Sequence, residues 1–166
     1  MVRGDFLKKT NTYEFFDGYI KLWDSKHLNY SLIDNEDLQK VTPYCFYKDR
    51  GGYFIANTVV DGKKTTIKLH RLVMDSPVGL QIDHLNHKTY DNRKCNLRVC
   101  TNQENSRNKR SKGYSYWKYG KRWEAYIFID YKKVHLGYFN TEDEAKRARR
   151  EAEHVYFGNF AFKEVV

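Results

Sequence analysis

Residues 82–105 constrain the fold more than any other part of the chain, because they combine the residue types of two strands, a loop and a helix start. Residues 86–94 are rich in Asn and Asp, which favour turns, and residues 97–99 fit a short strand. Thr101 and Glu104 stand at the spacing of a capping box, so a helix is expected to begin there. The segment predicts a strand–loop–strand–helix unit.

Polar residues of this unit have the chemistry that phosphodiester hydrolysis needs. The Asp83 carboxylate is a hard oxygen ligand for a divalent cation, and the adjacent His84 imidazole can act as a base that activates water. The amides of Asn96 and Asn105 can orient the imidazole and complete a metal shell. The alternative is an Asn-rich turn region whose amides only cap helices and close loops.

The order Asp-His, then Asn-Leu-Arg, then Asn within residues 83–105 resembles the HNH nuclease family, and within it the homing endonucleases. The resemblance implies a ββα-metal core over residues 69–108. It implies one Mg²⁺ or Mn²⁺ ion per active site, held by Asp83 and Asn105, and no small-molecule cofactor.

The same resemblance assigns roles to the other residues. His84 is expected to be the general base, and Asn96 or the preceding backbone carbonyl to position its imidazole. Arg98 or Arg93 is expected to bind a neighbouring phosphate. His70 begins a predicted short helix over residues 70–74 and is either a supporting residue of the site or, as the favoured interpretation, a partly buried histidine bonded to backbone.

Positive charge is concentrated in the C-terminal third of the chain. The net charge is +9, and residues 107–150 hold thirteen Lys/Arg against five Asp/Glu, which leaves +1 for the remainder. This excess favours double-stranded DNA as the partner. An anionic membrane is disfavoured, because no basic helix with a broad apolar face and no apolar run of membrane-spanning length is predicted.

The cysteines indicate a reduced compartment. Cys45, Cys95 and Cys100 form no Cys-x-x-Cys pair, and no signal peptide is recognised, so a cytoplasmic protein with free thiols is expected. A zinc site that combines Cys95 and Cys100 with His84 and His87 is a weaker alternative, because structural zinc sites have tighter ligand pairs.

Residues 1–68 are predicted to form a β-rich module. Residues 18–33 and 44–57 fit two hairpins, and residues 65–69 fit a further strand. Asp34 is expected to cap a short helix through residue 41. No group of residues here has the chemistry of a catalytic site, so the expected role is to steady the nuclease core.

Residues 109–113 are predicted to be a basic linker, and residues 114–166 a separate three-stranded antiparallel sheet packed on one helix. The strands are expected at 114–117, 122–129 and 133–139, and a second capping box predicts a helix over 141–157. Alternation assigns one face of the sheet to the helix, with the positions Trp123, Ala125, Ile127, Ile129, Val134, Leu136 and Tyr138. The helix face expected against it comprises Ala145, Ala148, Ala152 and Val155.

This second unit, with Trp-x-Ala-x-Ile, His-Leu-Gly-Tyr-Phe and Thr-x-x-Glu-Ala, resembles the DNA-binding domain of plant Apetala and ethylene-response factors. The resemblance implies a sheet that lies in the major groove. The residues expected to contact DNA are Arg107, Lys109, Arg110, Lys112, Ser115, Trp117, Tyr119, Lys121, Arg122, Tyr126, Phe128, Lys132, Lys133 and His135. Aromatic residues stand where the plant proteins have strand arginines, so phosphate contacts by the basic residues are favoured over guanine readout.

The sequence therefore predicts an α+β protein with a β-rich N-terminal module, a ββα-metal HNH core and a C-terminal sheet-plus-helix domain. The expected function is that of a phage- or intron-encoded, homing-type DNA endonuclease that acts as a monomer and nicks one strand. The alternatives are a restriction-type or nonspecific HNH nuclease and a non-catalytic DNA-binding regulator.

Overall fold

The computed structural model describes residues 10–109 and 111–162 of the chain. The structure is β-rich, with small sheets and few helices, and it divides into two compact units, Met1–Thr101 and Asn102–Val166. None of the described helices has the length and apolar character that a membrane span requires.

The first sheet is an antiparallel meander of β1 (Thr12–Phe16), β2 (Tyr19–Trp23) and β3 (Tyr30–Asp34). The hairpin of β2 and β3 confirms the predicted one. Strand β1 is not predicted from the sequence. Its residues are mostly exposed, so they lack the clean apolar alternation that identifies a half-buried strand.

The helix predicted after β3 is divided into a 3-10 turn, Asn35–Asp37, and a short helix, α1 (Leu38–Val41). The Asp34 side chain does not cap it. Its carboxylate instead accepts a hydrogen bond of 2.7 Å from the backbone N–H of Lys94. The predicted cap is therefore wrong, because this carboxylate holds a loop that is distant in sequence.

The second sheet contains β4 (Tyr47–Lys48), β5 (Phe54–Val60) and β6 (Lys63–Lys68), and α2 (Leu69–Val73) follows it. The predicted first strand is shorter than expected. The amide of Asn11 bonds both the N–H of Phe46, at 2.6 Å, and its carbonyl, at 2.8 Å. These two bonds occupy backbone groups that a longer strand would pair.

The predicted nuclease hairpin is present as β7 (Gln81–His84) and β8 (Leu97–Cys100), an antiparallel pair. A 3-10 turn, Lys94–Asn96, precedes β8. The predicted helix follows as α3 (Asn102–Arg107), the first element of the second unit.

One hydrophobic core joins both sheets, the helices and the hairpin of the first unit. Its fully buried members include Ile20, Ile33, Phe46 and Phe54 from the N-terminal part, and Ile82 and Leu97 belong to the nuclease hairpin. The core therefore extends across residue 68, where the sequence predicts a domain boundary. Truncating either Phe would cost about 3–5 kcal/mol of unfolding free energy, since such changes leave a cavity.

The second unit contains β9 (Tyr114–Trp117), β10 (Arg122–Ile129) and β11 (Lys132–Phe139), with β10 in the centre. Helix α4 (Glu142–Phe157) packs on this sheet. The predicted capping box is confirmed, because Thr141 and Glu144 exchange side-chain to backbone bonds of 3.2 Å. Gly158 ends the helix at φ 51°.

The sheet face against α4 is as predicted along β10, where Ala125 and Ile127 are completely buried. Along β11 the prediction fails for Tyr138. A bulge pairs Ala125 with Gly137 and Tyr126 with His135, so the alternation shifts by one residue. Tyr138 therefore lies with Trp117 and His135 on the other face, at ring distances of 4.9 and 4.7 Å.

The predicted helix face is correct for Ala145 and Ala152 and wrong for Val155, which is 79% exposed. Arg149, Glu153 and Phe157 are buried in its place. A helix advances 100° per residue, so the row through Ala145 and Ala152 drifts away from Val155 by its last turn.

Candidate active site

Asp83 and His84 are the last two residues of β7, and both residues are buried, with 8% and 5% of the whole-residue surface exposed. Antiparallel pairing sets Asp83 opposite Arg98 and His84 opposite Leu97. The two residues that sequence reasoning identified as a metal ligand and a base are thus held by a hairpin whose other strand contributes Leu97 to the core.

Arg98 lies on the Asp83 carboxylate. Its Nε and Nη2 atoms are 3.0 and 2.6 Å from Oδ2 of Asp83. Arg93, the other candidate for phosphate binding, donates to both carboxylate oxygens of Asp91, at 2.7 and 2.8 Å. The Asp91 carboxylate raises the pKa of Arg93 further. Each arginine therefore holds a carboxylate of the site, and phosphate binding by either stays a prediction.

Asn92, and not Asn96, contacts the His84 ring. Nε2 of His84 and Oδ1 of Asn92 are 3.1 Å apart. The Asn96 amide is used elsewhere: its Oδ1 accepts from the N–H of Asn86 at 3.0 Å, and its Nδ2 donates to the carbonyl of Asp91 at 2.8 Å. The prediction that Asn96 bonds the imidazole is corrected by these contacts, because its amide closes the loop between the strands.

Further side chains stiffen this loop. Asn86 donates to Asp91 at 3.2 Å and accepts from the N–H of Lys88 at 2.9 Å. No role was predicted for Asn86, Asp91 or Asn92, which the sequence shows as turn-forming residues of the loop. Which amide bonds which partner depends on the folded loop and cannot be read from spacing.

The loop is also attached to the N-terminal sheet. The N–H of Leu32 donates to the carbonyl of Tyr90, and the N–H of Asn92 donates to the carbonyl of Leu32, both at 2.8 Å. Leu32 and Asp91 form a parallel bridge. The edge of β3 therefore supports residues 90–92 directly, which gives the N-terminal module the steadying role that the sequence predicts.

Burial controls the charge of the histidines. Burial lowers the pKa of His84, although the Asn92 hydrogen bond and the carboxylates of Asp83 and Asp91 act in the opposite direction. His70 is 6% exposed, and its ring meets that of His84 edge-on at 5.3 Å. Burial, reinforced by His84, lowers the pKa of His70 to about 3, so His70 is neutral near pH 7. The expected burial of His70 is confirmed, and its expected bond to the backbone stays a prediction.

The Asp83 carboxylate is an oxygen donor of the kind that Mg²⁺ prefers, and its role as a metal ligand stays a prediction. Asn105 lies half-buried on α3, and its pairing with Asp83 around a metal stays a prediction. Within residues 10–109 and 111–162, no group of three or more His, Cys, Asp or Glu side chains is placed to hold a metal, and none of the three cysteines forms a disulfide.

Most residues predicted to contact DNA are exposed on the second unit. This holds for Lys109, Lys112, Ser115, Trp117, Tyr119, Lys121, Arg122, Phe128, Lys132, Lys133 and His135. Tyr126 and Arg107 are half-buried, and Arg107 lies 3.7 Å from Asp130 and over the Phe157 ring. Arg110 lies outside the described residues.

Glu124 partly neutralises the centre of the exposed sheet face. Its Oε1 accepts from Lys133 at 2.8 Å and lies 3.3 Å from Nδ1 of His135. Lys133 also lies over the Tyr126 ring at 4.2 Å. The hydrogen bond with Lys133 is the main cause that lowers the pKa of Glu124. The basic residues of this face are therefore not equivalent.

Part of this chain is similar to known proteins. A relative in Acanthamoeba polyphaga mimivirus, an uncharacterized protein, is 34% identical over 90 residues, which cover 54% of this chain and 25% of the relative. The chain thus spans about a quarter of the length of that relative. A solved structure, which concerns DNA binding and cleavage by the HNH homing endonuclease I-HmuI, is 20% identical to this chain. The match has a TM-score of 0.35 and covers 57% of this chain and 55% of that chain. Residues 68–107, which include every candidate active-site residue described above except the supports on β3, match the family model for HNH endonucleases, so this segment carries an HNH endonuclease domain.

Proposed function

We propose that this protein is a homing-type DNA endonuclease that hydrolyses phosphodiester bonds at His84, with one divalent metal ion. One observation carries the proposal: inside the segment that matches the HNH family, Asp83 and His84 are adjacent, buried and fixed by hydrogen bonds. A carboxylate beside a held imidazole can supply a metal ligand and a general base for hydrolysis.

In the proposed reaction His84 accepts a proton from the water that attacks the phosphorus, and the bond between phosphorus and the 3′-oxygen breaks. The imidazole must be neutral for this step, and burial of His84 favours its neutral form. Arg98 orients the Asp83 carboxylate from the opposite strand. Asp83 and Asn105 would hold a Mg²⁺ or Mn²⁺ ion, which would supply stabilisation of the negative charge that develops in the reaction.

The partner in this proposal is double-stranded DNA, and the second unit binds it. Residues 107–150 carry a net charge of +8 from thirteen basic and five acidic residues, and most of the basic side chains are exposed. A tethered DNA-binding unit raises the local concentration of the nuclease unit at its target. One active site per monomer favours a nick in one strand over a double-strand break.

A nicking assay tests the proposal. A supercoiled plasmid that carries the genomic DNA flanking the gene is incubated with the protein, once with Mg²⁺ and once with EDTA. We expect nicked circles only with Mg²⁺, and a single cut position when the ends are mapped on each strand. A plasmid that stays supercoiled over a range of protein and Mg²⁺ concentrations would contradict the proposal.

A nonspecific HNH nuclease is the second candidate, and the aromatic side chains of the exposed sheet face favour it. Rings such as those of Trp117 and Tyr138 can stack or pack without distinguishing bases. The mapped ends separate the candidates, because a nonspecific enzyme cuts the flanking DNA and the vector alike.

A further inference from the structure

Ser31 lies on β3, outside the segment that matches the HNH family, yet it is only two hydrogen bonds away from His84. Nδ2 of Asn92 donates to Oγ of Ser31 at 2.7 Å, and Oδ1 of Asn92 is 3.1 Å from Nε2 of His84. The exposed fractions of Ser31, Asn92 and His84 are 0%, 1% and 5%. Water is therefore excluded from the row of bonds that joins the three side chains.

Two backbone carbonyls, those of Tyr90 and Thr89, fix which atom donates in each of these hydrogen bonds. Ser31 donates its hydroxyl proton to the carbonyl of Tyr90 at 2.9 Å, so Oγ can only accept from Asn92. The same Nδ2 of Asn92 donates to the carbonyl of Thr89 at 3.2 Å. Both acceptors require the NH₂ group of Asn92 on their side, which turns its Oδ1 toward His84.

An oxygen acceptor facing Nε2 requires a proton on Nε2. In the neutral imidazole the lone pair then remains on Nδ1. We propose that Ser31 is a positioning residue: through Asn92 it holds His84 as the Nε2–H tautomer, with Nδ1 as the proton acceptor. The catalytic consequence rests on the proposed nuclease function, whereas the tautomer itself does not.

A turned Asn92 amide would have the opposite effect. Its NH₂ group would then face Nε2, the proton would move to Nδ1, and this nitrogen could no longer accept a proton from water. Ser31 opposes that turn, because its lone pair would then face the amide oxygen. The backbone bonds of Leu32 with Tyr90 and Asn92, both 2.8 Å, keep Ser31 at this position.

The test combines nitrogen NMR of the imidazole with cleavage kinetics, using the full chain at pH 8. The wild type is expected to show His84 as the Nε2–H tautomer. In Ser31→Ala the NH₂ group keeps its bond to the Thr89 carbonyl and loses its bond to Ser31. The tautomer ratio should therefore move toward Nδ1–H by about three- to tenfold, the effect of one neutral hydrogen bond. The value of kcat should fall by a similar factor, with KM for DNA unchanged.

Two further variants separate positioning from stability. Ile33→Val is the matched control, because Ile33 is fully buried two residues along the same strand and this change also weakens the core. It should leave the tautomer ratio at the wild-type value. Ser31→Thr keeps the hydroxyl, so its tautomer ratio and kcat should both be close to the wild-type values.

The outcomes are distinct. An Nδ1–H tautomer in the wild type overturns the proposal, and this measurement needs no variant to fold. An unchanged tautomer ratio in a folded Ser31→Ala protein overturns it as well. If the ratio shifts as expected but no variant and no wild type cleaves DNA, the positioning role stands and the nuclease function fails.

Discussion

Arg98 donates two hydrogen bonds to a single oxygen of Asp83 from the directly opposite position on the neighbouring strand. Both side chains are largely buried, with 15% and 9% of their surfaces exposed. Arg98 balances the negative charge of the Asp83 carboxylate, which the proposed reaction needs as a metal ligand. Arg98 therefore supports the site whether or not it binds a phosphate.

Arg98→Met should lower the free energy of unfolding by about 3 kcal/mol, because it removes the arginine that bonds a buried carboxylate. Urea unfolding in EDTA measures this without any contribution from metal. The double variant Asp83→Asn/Arg98→Met should recover much of the loss. Strictly additive effects of the two single changes would show that the residues are not coupled.

His70 should make stability depend on pH. In the unfolded chain its pKa is near 6.5, whereas in the folded protein it is about 3. Above pH 6.5 His70 is neutral in both states and does not lower the free energy of unfolding. Below pH 6.5 the unfolded chain binds a proton that the folded protein does not, so the free energy of unfolding falls by up to about 1.4 kcal/mol per pH unit. His70→Phe keeps a ring at this position and removes the titration, so urea unfolding between pH 7.5 and 5 should show a shallower slope. His84 changes stability in the same direction in both proteins, and equal slopes would contradict the assignment.

Asn96 is expected to act on the loop and not on the imidazole. Asn96→Asp replaces the NH₂ group that bonds the Asp91 carbonyl, which should cost about 2 kcal/mol of unfolding free energy and make the peptide bond after Lys88 easier to cleave by trypsin. Asn102→Asp, at an exposed helix start, is the control and should change neither quantity. A His84 tautomer that changes in Asn96→Asp while stability does not would contradict this role.

The basic residues of the second unit should differ in their contribution to DNA binding. Lys121→Gln and Arg122→Gln should each reduce the slope of log K against log salt by about 1, the value for one phosphate contact. Lys133→Gln should reduce it by less, because Glu124 already holds the Lys133 ammonium at 2.8 Å. Titrations of labelled DNA at several salt concentrations give the three slopes. The largest effect from Lys133→Gln would contradict this ranking.

Local patterns were sufficient where local forces decide the structure. The strand Arg122–Ile129 alternates cleanly, and Thr141 and Glu144 form a capping box, so both elements have the bounds that the sequence predicts. The hairpin of β7 and β8 followed from turn-rich residues between two short apolar stretches. These features depend only on neighbours within a few residues.

Predictions failed where a distant contact or a single backbone irregularity decides the outcome. The bulge at Gly137, with φ 134°, moves Tyr138 to the opposite face of the sheet. The alternation of apolar and polar residues along this strand does not predict the bulge. The contact of Asn92, and not Asn96, with the imidazole depends on β3, about sixty residues earlier in the chain, where Ser31 bonds Asn92. The spacing of residues in the sequence was enough to predict the hairpin and its Asp-His pair. The partner of the imidazole is visible only in the folded loop.

The most direct test of the account compares His84→Ala with His87→Ala. His87 is the exposed histidine three residues later in the same loop, so it controls for loss of an imidazole near the site. Each variant is assayed for plasmid nicking with Mg²⁺ and for binding of the same DNA in EDTA. His84→Ala should lower the nicking rate by roughly a hundred- to ten-thousandfold and leave the dissociation constant near that of the wild type. His87→Ala should nick at close to the wild-type rate. Nicking by His84→Ala at the rate of His87→Ala would show that His84 is not the base, and the account of this active site would be wrong.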